Sequence, residues 1–213
     1  MLRDRDRRKQ LESVVAGPVS RETFDRIESF EALFRKWNSA INLVAPSTLP
    51  ELWHRHILDS AQLARYARGA GSWADLGSGG GFPGAIVAIL LRESCVVHLV
   101  ESNQKKAAFL RTTLASLGIC SAIVHARRIE EASGRIGAVD IVSARALTAL
   151  PELLALSEPF MRRGARGLFH KGRDYRREVE ESRDVWKFDL LEHPSLVDPA
   201  SIILEVSGLG RMA

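Results

Sequence analysis

Apolar residues recur at intervals of three and four between Ser20 and Asn42, as they do along one face of an amphipathic helix. The recurring positions are Phe24, Ile27, Phe30, Phe34, Trp37 and Ile41. Ser20 can cap the first turn, and a second helix is predicted from Pro50 to about Ala67. No strand pattern occurs in this part, so residues 1–70 are predicted to form a helical extension packed on the rest of the chain.

Over residues 71–213 the pattern changes to short β-rich runs that alternate with helix-length segments. The predicted strands are Trp73–Leu76, Cys95–Val100, Ile119–His125, Ala138–Val142 and Gly167–His170. The predicted helices are Pro83–Leu91, Asn103–Leu117 and Leu150–Phe160. This alternation is typical of an α/β fold, a mostly parallel sheet with helices on both faces. Phe188–Leu191 and Ile202–Val206 predict a closing β-hairpin, and the whole segment is expected to be one globular unit.

Composition narrows the class of protein. The chain has 213 residues, of which 46% are hydrophobic and 26% charged, as in soluble globular proteins. Its central apolar run, Gly84–Leu91, is far shorter than the roughly 20 residues of a membrane helix. The basic start is followed by no apolar stretch, so a cytoplasmic protein without a membrane segment is expected. Cys95 and Cys120 lie in apolar runs and are expected to be buried free thiols, without neighbouring ligands for a metal.

Positive charge is concentrated in one segment of the chain. The formal net charge is +4, which is a mild excess. Between Met161 and Arg177, however, seven Lys and Arg residues accompany a single acid, Asp174. Such a run is typical of a solvated face, but beside a candidate active site it favours a polyanionic partner such as nucleic acid. Charge alone leaves both interpretations open.

The strongest candidate for chemistry is a glycine-rich turn between the first predicted strand and the helix that follows it. Glycines let the backbone turn sharply and let a ligand approach closely, although a tight turn without a ligand is the simpler explanation for a shorter run. Gly79, Gly81 and Gly84 satisfy the dinucleotide fingerprint. The apolar strand ends at Leu76, however, so the first glycine after it is Gly77. Counted from the end of the strand, the key positions are Asp75, Gly77, Gly79 and Gly81, and this placement favours S-adenosylmethionine over NAD.

Glu101 is a second candidate for cofactor binding. It ends the second predicted strand, 24 residues after Gly77. A carboxylate there can accept hydrogen bonds from both ribose hydroxyls of an adenosine. It can also serve as the acid in front of the helix that begins near Asn103, and the two roles can coexist. Phe82 stands where a dinucleotide fold needs its third glycine, and Pro83 lacks an N–H donor, which argues further against NAD.

Several motifs together resemble one known family. They are the glycine turn and the segments Trp37–Leu43, His54–Ser60, Leu99–Ser102, Lys105–Leu110, Ser143–Ala146 and Phe169–Gly172. Their joint pattern closely resembles the bacterial ribosomal RNA small-subunit methyltransferase G family, also called glucose-inhibited division protein B. The resemblance covers nearly the whole chain. It departs from the family at Val44, where a threonine is common, and the arginine-rich N-terminal tail is not diagnostic.

The resemblance implies a Rossmann-like class I methyltransferase that uses S-adenosylmethionine to methylate N7 of a guanine in the decoding-region (530-loop) of 16S rRNA. The expected cofactor-binding residues are Asp75, Gly77, Gly79, Gly81, Phe82, Glu101, Ile129, Glu130 and Arg145. Arg145 is also expected to position the target base; without the family, a salt bridge to Asp75 or Glu101 is an equal interpretation. RNA contacts are expected from Arg55, His56, Arg163, Lys171 and Arg173.

Guanine N7 has a free lone pair and loses no proton when it is methylated, so no general base is expected. None of the six histidines lies in the motifs proposed at the strand ends. His54 and His56 are expected on different helix faces, which disfavours a metal site, and His98 and His125 should be hydrogen-bonded within the sheet. No metal and no obligate protein partner are predicted. The alternatives are a small-molecule methyltransferase, an RNA-binding assembly protein with a vestigial cofactor loop and, more remotely, an NAD-dependent dehydrogenase.

Overall fold

Two long helices open the chain in the computed structural model, which describes residues 2–67 and 69–212. Helix α1 spans Leu2–Val15 and helix α2 spans Arg21–Ile41. Helix α2 confirms the first predicted helix, and the Ser20 hydroxyl accepts a hydrogen bond from the Thr23 N–H at 3.1 Å. Helix α1 was not predicted because its sequence is mostly charged, although Leu11 is fully buried.

The second predicted helix is broken into four short pieces. They are a 3₁₀ helix at Pro46–Glu51, a π helix at Trp53–Leu58, α3 at Asp59–Ala61 and a 3₁₀ helix at Gln62–Tyr66. Pro50 lies inside the first piece and cannot donate the N–H that a regular helix requires. In the π segment the Asp59 N–H bonds to the carbonyls of His54 and His56. The Arg55 carbonyl accepts a hydrogen bond from outside the helix, from the Arg145 guanidinium at 2.9 Å.

The rest of the chain forms one seven-stranded sheet in the order β3-β2-β1-β4-β5-β7-β6. The strands are β1 Ser72–Leu76, β2 Val96–Val100, β3 Ala122–His125, β4 Ile141–Arg145, β5 Arg166–Lys171, β6 Trp186–Pro194 and β7 Ile202–Arg211. Strands β1 to β5 run parallel, while β7 is antiparallel to β5 and β6. This confirms the mostly parallel sheet and the closing hairpin. The fourth strand lies further along the chain than the predicted Ala138–Val142, so Arg145 is its last residue.

Helices connect the parallel strands. They are α4 Gly84–Leu90, α5 Gln104–Ser116, α6 Ile129–Ile136, α7 Leu150–Met161 and α8 Tyr175–Arg183. Helices α4, α5 and α7 correspond to the predicted ones, whereas α6 and α8 are short and were not predicted. Because each helix returns the chain to the start of the next strand, the turns after β1 to β5 meet at one edge of the sheet, called the carboxyl edge here.

Helices cover both faces of the sheet. One hydrophobic cluster joins the N-terminal helices, α4 and α5 to one face, and a second joins α6, α7 and α8 to the other. In the first cluster, the rings of Phe30 and Phe34 lie 5.9 and 5.1 Å from that of Phe82, and both also contact Phe109. Burial of each of these phenylalanine side chains contributes about 1.5–3 kcal/mol to the free energy of unfolding. Helix α2 therefore packs directly beneath the glycine turn.

Both cysteines are free thiols, but Cys95 is buried while Cys120 is exposed, so the expectation of burial is wrong for Cys120. Within residues 2–67 and 69–212, no helix is both long and apolar enough to cross a membrane. The same residues contain no group of three or more His, Cys, Asp or Glu side chains that could hold a metal ion.

Candidate active site

The turn after β1 depends on glycine at two kinds of position. Gly77 and Gly79 have φ angles of +68° and +53°, in the left-handed region that other residues adopt only at a cost. At Gly84 the limit is space, because a Cβ would lie 2.5 Å from Oδ2 of Asp75. The first turn of α4 can therefore lie directly against the end of β1.

Asp75 supports this turn from inside the protein. Its carboxylate is fully buried and accepts hydrogen bonds from the Ser143 hydroxyl at 2.7 Å and from the Gly84 N–H at 3.1 Å. Burial raises the pKa of Asp75 to about 6. Asp75 does not line the neighbouring cleft, and its expected contact with a cofactor stays a prediction. What the structure shows is that its carboxyl group holds the glycine turn and the start of α4 in place.

A cleft of about 590 Å³ opens beside the glycine turn at the carboxyl edge. The predicted cofactor-binding residues that line it are Gly77, Gly79, Phe82, Glu101, Ile129, Glu130 and Arg145. Gly81 does not line it, because that residue packs tightly against Ala85, whose Cβ would lie 2.7 Å from an added Cβ. The volume is in the range of small-molecule sites in proteins. The structure thus brings most of the predicted set to one cleft.

Glu101 contacts both the glycine turn and the start of α5, and its expected ribose contact stays a prediction. One carboxylate oxygen accepts from the Gly79 N–H at 2.8 Å, and the other from the Asn103 N–H at 2.7 Å. The first contact fixes the glycine turn, and the second stabilises the start of α5. Each carboxylate oxygen has two lone pairs, so acceptor capacity remains for the two hydroxyls of a ribose. The glycine turn and this carboxylate therefore fit the adenosine part of S-adenosylmethionine.

A second cavity, of about 940 Å³, lies on the other side of the end of β4. Asp59, His170 and Lys171 contribute to its lining, together with Arg55. His56 and residues 145–148 line both this cavity and the cofactor cleft. Two molecules bound on the two sides would therefore meet at this shared wall.

Arg145 is the central charged group of the shared wall. Its guanidinium donates to Asp59 Oδ2 at 3.1 Å and to the Arg55 carbonyl in the π helix at 2.9 Å. Its partner is thus Asp59, and the alternative interpretation of a salt bridge to Asp75 or Glu101 is wrong. These bonds hold Arg145 in one orientation beside the cofactor cleft.

His56 lies against Arg145 and the Phe82 ring. The His56 ring stacks on Phe82 with centroids 5.1 Å apart, and His56 Nδ1 is 2.6 Å from an Arg145 nitrogen. Arginine has only donors, so Nδ1 must be the acceptor and the proton of the neutral ring lies on Nε2. Burial, followed by the charge of Arg145, lowers the pKa of His56 to about 4.

A second histidine, His170, lies in the same cluster. It is almost fully buried, and its Nε2 donates to the Asp59 carbonyl at 3.0 Å. Burial also lowers the pKa of His170. The expectation that none of the six histidines lies in the motifs at the strand ends is therefore wrong, because His170 is the second-last residue of β5. The other expectation is confirmed, because His98 Nδ1 and His125 Nε2 are hydrogen-bonded at 2.9 Å within the sheet.

The residues expected to contact RNA have different surroundings. The Lys171 ammonium is buried and donates to Glu178 at 2.6 Å and to the Thr148 carbonyl at 2.7 Å, whereas its expected phosphate contact stays a prediction. Arg163 precedes β5, at the opposite ends of the strands from the two cavities, and donates to two backbone carbonyls; its expected RNA contact stays a prediction. Arg55 and Arg173 are exposed at the carboxyl edge.

Asp59 and His170 were missed in the sequence. A signal for Asp59 was present, because it follows His56 by three residues and such neighbours share one side of a helix. An acid facing the core side of a helix needs a charged partner. Nothing local pointed to His170, since its contact with Asp59 joins residues 111 positions apart.

Two solved structures share this fold. An O-methyltransferase from Bacillus cereus in complex with SAH matches with a TM-score of 0.59 and 14% identity, over 84% of this chain and 90% of that one. A methyltransferase from Geobacter sulfurreducens matches with a TM-score of 0.57 and 11% identity, over 84% and 87%. At such low identity the likeness establishes the fold alone.

The fold is that of Rossmann-like methyltransferases, and the cleft beside the glycine turn fits S-adenosylmethionine. The model of one family, rRNA small subunit methyltransferase G, matches residues 23–200. The chain belongs to this family. Ribosomal RNA small subunit methyltransferase G of Chelativorans sp. (strain BNC1) is 60% identical over 93% of this chain and 95% of its own length. The protein of the same name from Brucella canis is 54% identical over 94% of each chain.

Proposed function

We propose that this protein transfers the methyl group of S-adenosylmethionine to N7 of a guanine in the 530 loop of 16S rRNA, in the cytoplasm. One structural observation carries the proposal: the cofactor cleft and a larger cavity meet at a wall formed by His56 and residues 145–148. Membership of an rRNA methyltransferase family supports the choice of substrate. The larger cavity is proposed to receive the target base.

The cofactor would be held by groups at the ends of β1, β2 and β3. We assign its ribose to Glu101, its adenine to the neighbourhood of Ile129 and Glu130, and its amino-acid part to the glycine turn beside Phe82. When bound, S-adenosylmethionine supplies a methyl group on a positively charged sulfur, which is an excellent leaving group. Gly77 and Gly79 leave the room that this approach requires.

The protein's task at the target base is alignment. The lone pair of guanine N7 attacks the methyl carbon while the carbon–sulfur bond breaks, so the positive charge passes to the guanine and no proton moves. Arg145, fixed by Asp59 and the Arg55 carbonyl, is assigned to position the base at the shared wall. Correct alignment of two bound reactants can lower a barrier by about 7–11 kcal/mol, so no general base is required.

The decisive experiment is incubation with radiolabelled S-adenosylmethionine and unmodified small-subunit rRNA, followed by nucleoside analysis. The expected product is 7-methylguanosine, whose fixed positive charge makes the ring open in alkali. Glu101→Ala should lose cofactor affinity and product together, while Glu131→Ala, an exposed neighbour outside the cleft, should retain both. A methylated nucleoside that is stable in alkali would contradict the assignment to N7.

The same assay, run in single turnover with saturating RNA and cofactor, tests the absence of a general base. We expect a rate that is nearly constant between about pH 6.5 and 8.5. The histidine at the shared wall does not change this expectation, because His56 has a pKa of about 4 and stays neutral over that range. A rate that rises tenfold per pH unit would show that a base removes a proton and would exclude attack by N7.

A further inference from the structure

The chain between Glu101 and Glu130 contains no acidic residue, and its basic residues collect at one edge of the sheet. These are Lys105, Lys106, Arg111, Arg127 and Arg128, which together are called the β3-edge surface here. Lys105 and Lys106 lie in the first turn of α5, Arg111 lies further along that helix, and the other two follow β3. We propose that the β3-edge surface binds the phosphate backbone of the RNA next to the methylated guanine, a proposal that rests on the proposed function.

Unpaired charge is the first observation. Among residues 2–67 and 69–212, no carboxylate lies within 4 Å of the charged group of any member of the β3-edge surface. The ion pairs of this part of the chain all involve other basic residues. Like charges gathered without counterions repel one another, and a bound polyanion relieves that repulsion.

The second observation is that basic residues of the β3-edge surface lie close together around the end of β3. A guanidinium nitrogen of Arg111 lies 3.4 Å from the carbonyl oxygen of Val124 in β3. Arg127 and Arg111 are both near enough to His125, the last residue of β3, to help lower its pKa. Lys105, Arg111 and Arg128 are exposed. The charges therefore form one accessible patch rather than separate points on the surface.

Continuity with the active site is the third observation. Lys106, Arg127 and Arg128 also line the rim of the cofactor cleft. The β3-edge surface thus begins at the cleft and runs away from it along the edge of the sheet. An RNA strand that delivers a guanine to the shared wall can continue across this rim, where each neutralised phosphate strengthens binding.

Protection of an open sheet edge is the simpler explanation for charge at this place, since β3 pairs with β2 alone. That protection uses charged side chains on the edge strand itself. The strand, Ala122–His125, contains no Lys or Arg, and the charges lie on α5 and on the turn after β3. The arrangement therefore matches a binding surface better than a protected edge.

A salt titration of RNA binding tests the proposal. The variant Lys105→Gln/Arg111→Gln removes two exposed members that lie outside the cofactor cleft. Its control, Arg135→Gln/Lys187→Gln, removes one exposed Arg near the end of α6 and one exposed Lys near the start of β6, neither of which belongs to the β3-edge surface. The slope of log K against log salt should fall in magnitude by about 1.5 in the first variant and stay unchanged in the control, since each phosphate contact contributes roughly 0.7–0.9. Binding of S-adenosylhomocysteine should be equal in all three proteins.

The slopes distinguish a failure of the β3-edge surface from a failure of the proposed function. Equal slopes in the three proteins, or an equal loss in both variants, would overturn the β3-edge surface. Titrations with naked rRNA and with intact small subunits distinguish the partner: a loss seen with subunits but not with naked rRNA would mean that the surface meets an acidic subunit protein, which also overturns the proposal. If the slopes of the three proteins differ as expected but the wild type forms no 7-methylguanosine, the proposed function fails and the proposal for the β3-edge surface stands.

Discussion

The segment Met161–Arg177 and the β3-edge surface both carry several basic residues, but their side chains have different surroundings. In the segment, Arg166 pairs with Glu205 at 2.5 Å and Lys171 pairs with Glu178 at 2.6 Å. Arg163 donates to backbone carbonyls, and Arg162 and Arg177 have acidic neighbours one helical turn away. No member of the β3-edge surface has an acidic partner within 4 Å among the described residues. Many basic groups of the segment are therefore paired with groups of the protein itself, whereas those of the β3-edge surface have no such acidic partner in the described part of the chain and can bind a polyanion.

A basic run in a sequence cannot be assigned to the surface or the interior from its neighbours along the chain alone. Counting neighbours along the chain finds only Asp174 to balance the segment. The fold supplies Glu205 and Glu178 from β7 and α8, and it places the two ends of the segment at opposite edges of the sheet. The absence of acids between Glu101 and Glu130 is a weaker signal in the sequence. It still holds in the folded protein, because the fold brings no distant acid within 4 Å of these basic groups among the described residues.

The largest expected effect concerns stability. Lys171→Met should lower the free energy of unfolding by about 3 kcal/mol, because it leaves the Glu178 carboxylate without its buried partner. Lys105→Met, at an exposed member of the β3-edge surface, should change it by less than about 0.5 kcal/mol. Urea unfolding measures both. A stable Lys171→Met protein with a weaker salt dependence of RNA binding would show that Lys171 contacts phosphate after all.

A smaller effect should appear at His125. Its pKa of about 4 results from burial first, and then from His98, Arg127 and Arg111. If RNA phosphates neutralise the two arginines, the pKa of His125 should rise by about one unit on RNA binding, equivalent to about 1.4 kcal/mol of coupling. Because the bound form then holds the proton more tightly, RNA affinity should increase as the pH falls from about 5 to about 4.

NMR titration of the His125 ring signals, with and without a fragment of the target rRNA, measures this shift. Arg111→Gln is the control: it should raise the pKa of His125 in the free protein and reduce the further rise caused by RNA. An unchanged pKa in the presence of saturating RNA would place the nucleic acid elsewhere and remove the distinction drawn between the two regions.

The features that the sequence predicted well depend on local patterns. The alternation of strands and helices follows hydrophobic periodicity, and the glycine turn follows from backbone freedom at Gly77 and Gly79. The features it missed depend on contacts between distant residues. Arg145 finds Asp59 across 86 positions, and the acid just before the turn, Asp75, is buried under it instead of facing the cleft. Such partners are decided by how the helical extension packs on the sheet.

The smallest expected effect separates two arginines that are ten positions apart. Arg163→Gln should leave the salt dependence of RNA binding unchanged, since Arg163 lies at the amino edge of β5 and donates to the carbonyls of Ser133 and Gly137. Its removal should cost only about 0.5–1.5 kcal/mol of stability for these exposed hydrogen bonds. Arg173→Gln should leave stability unchanged but weaken the salt dependence of RNA binding, because Arg173 follows β5 at the carboxyl edge and is exposed. Removing one phosphate-binding charge there should reduce the slope by roughly 0.7–0.9. Equal slopes for the two variants would mean that the edge of the sheet on which a charge lies does not decide whether it binds RNA.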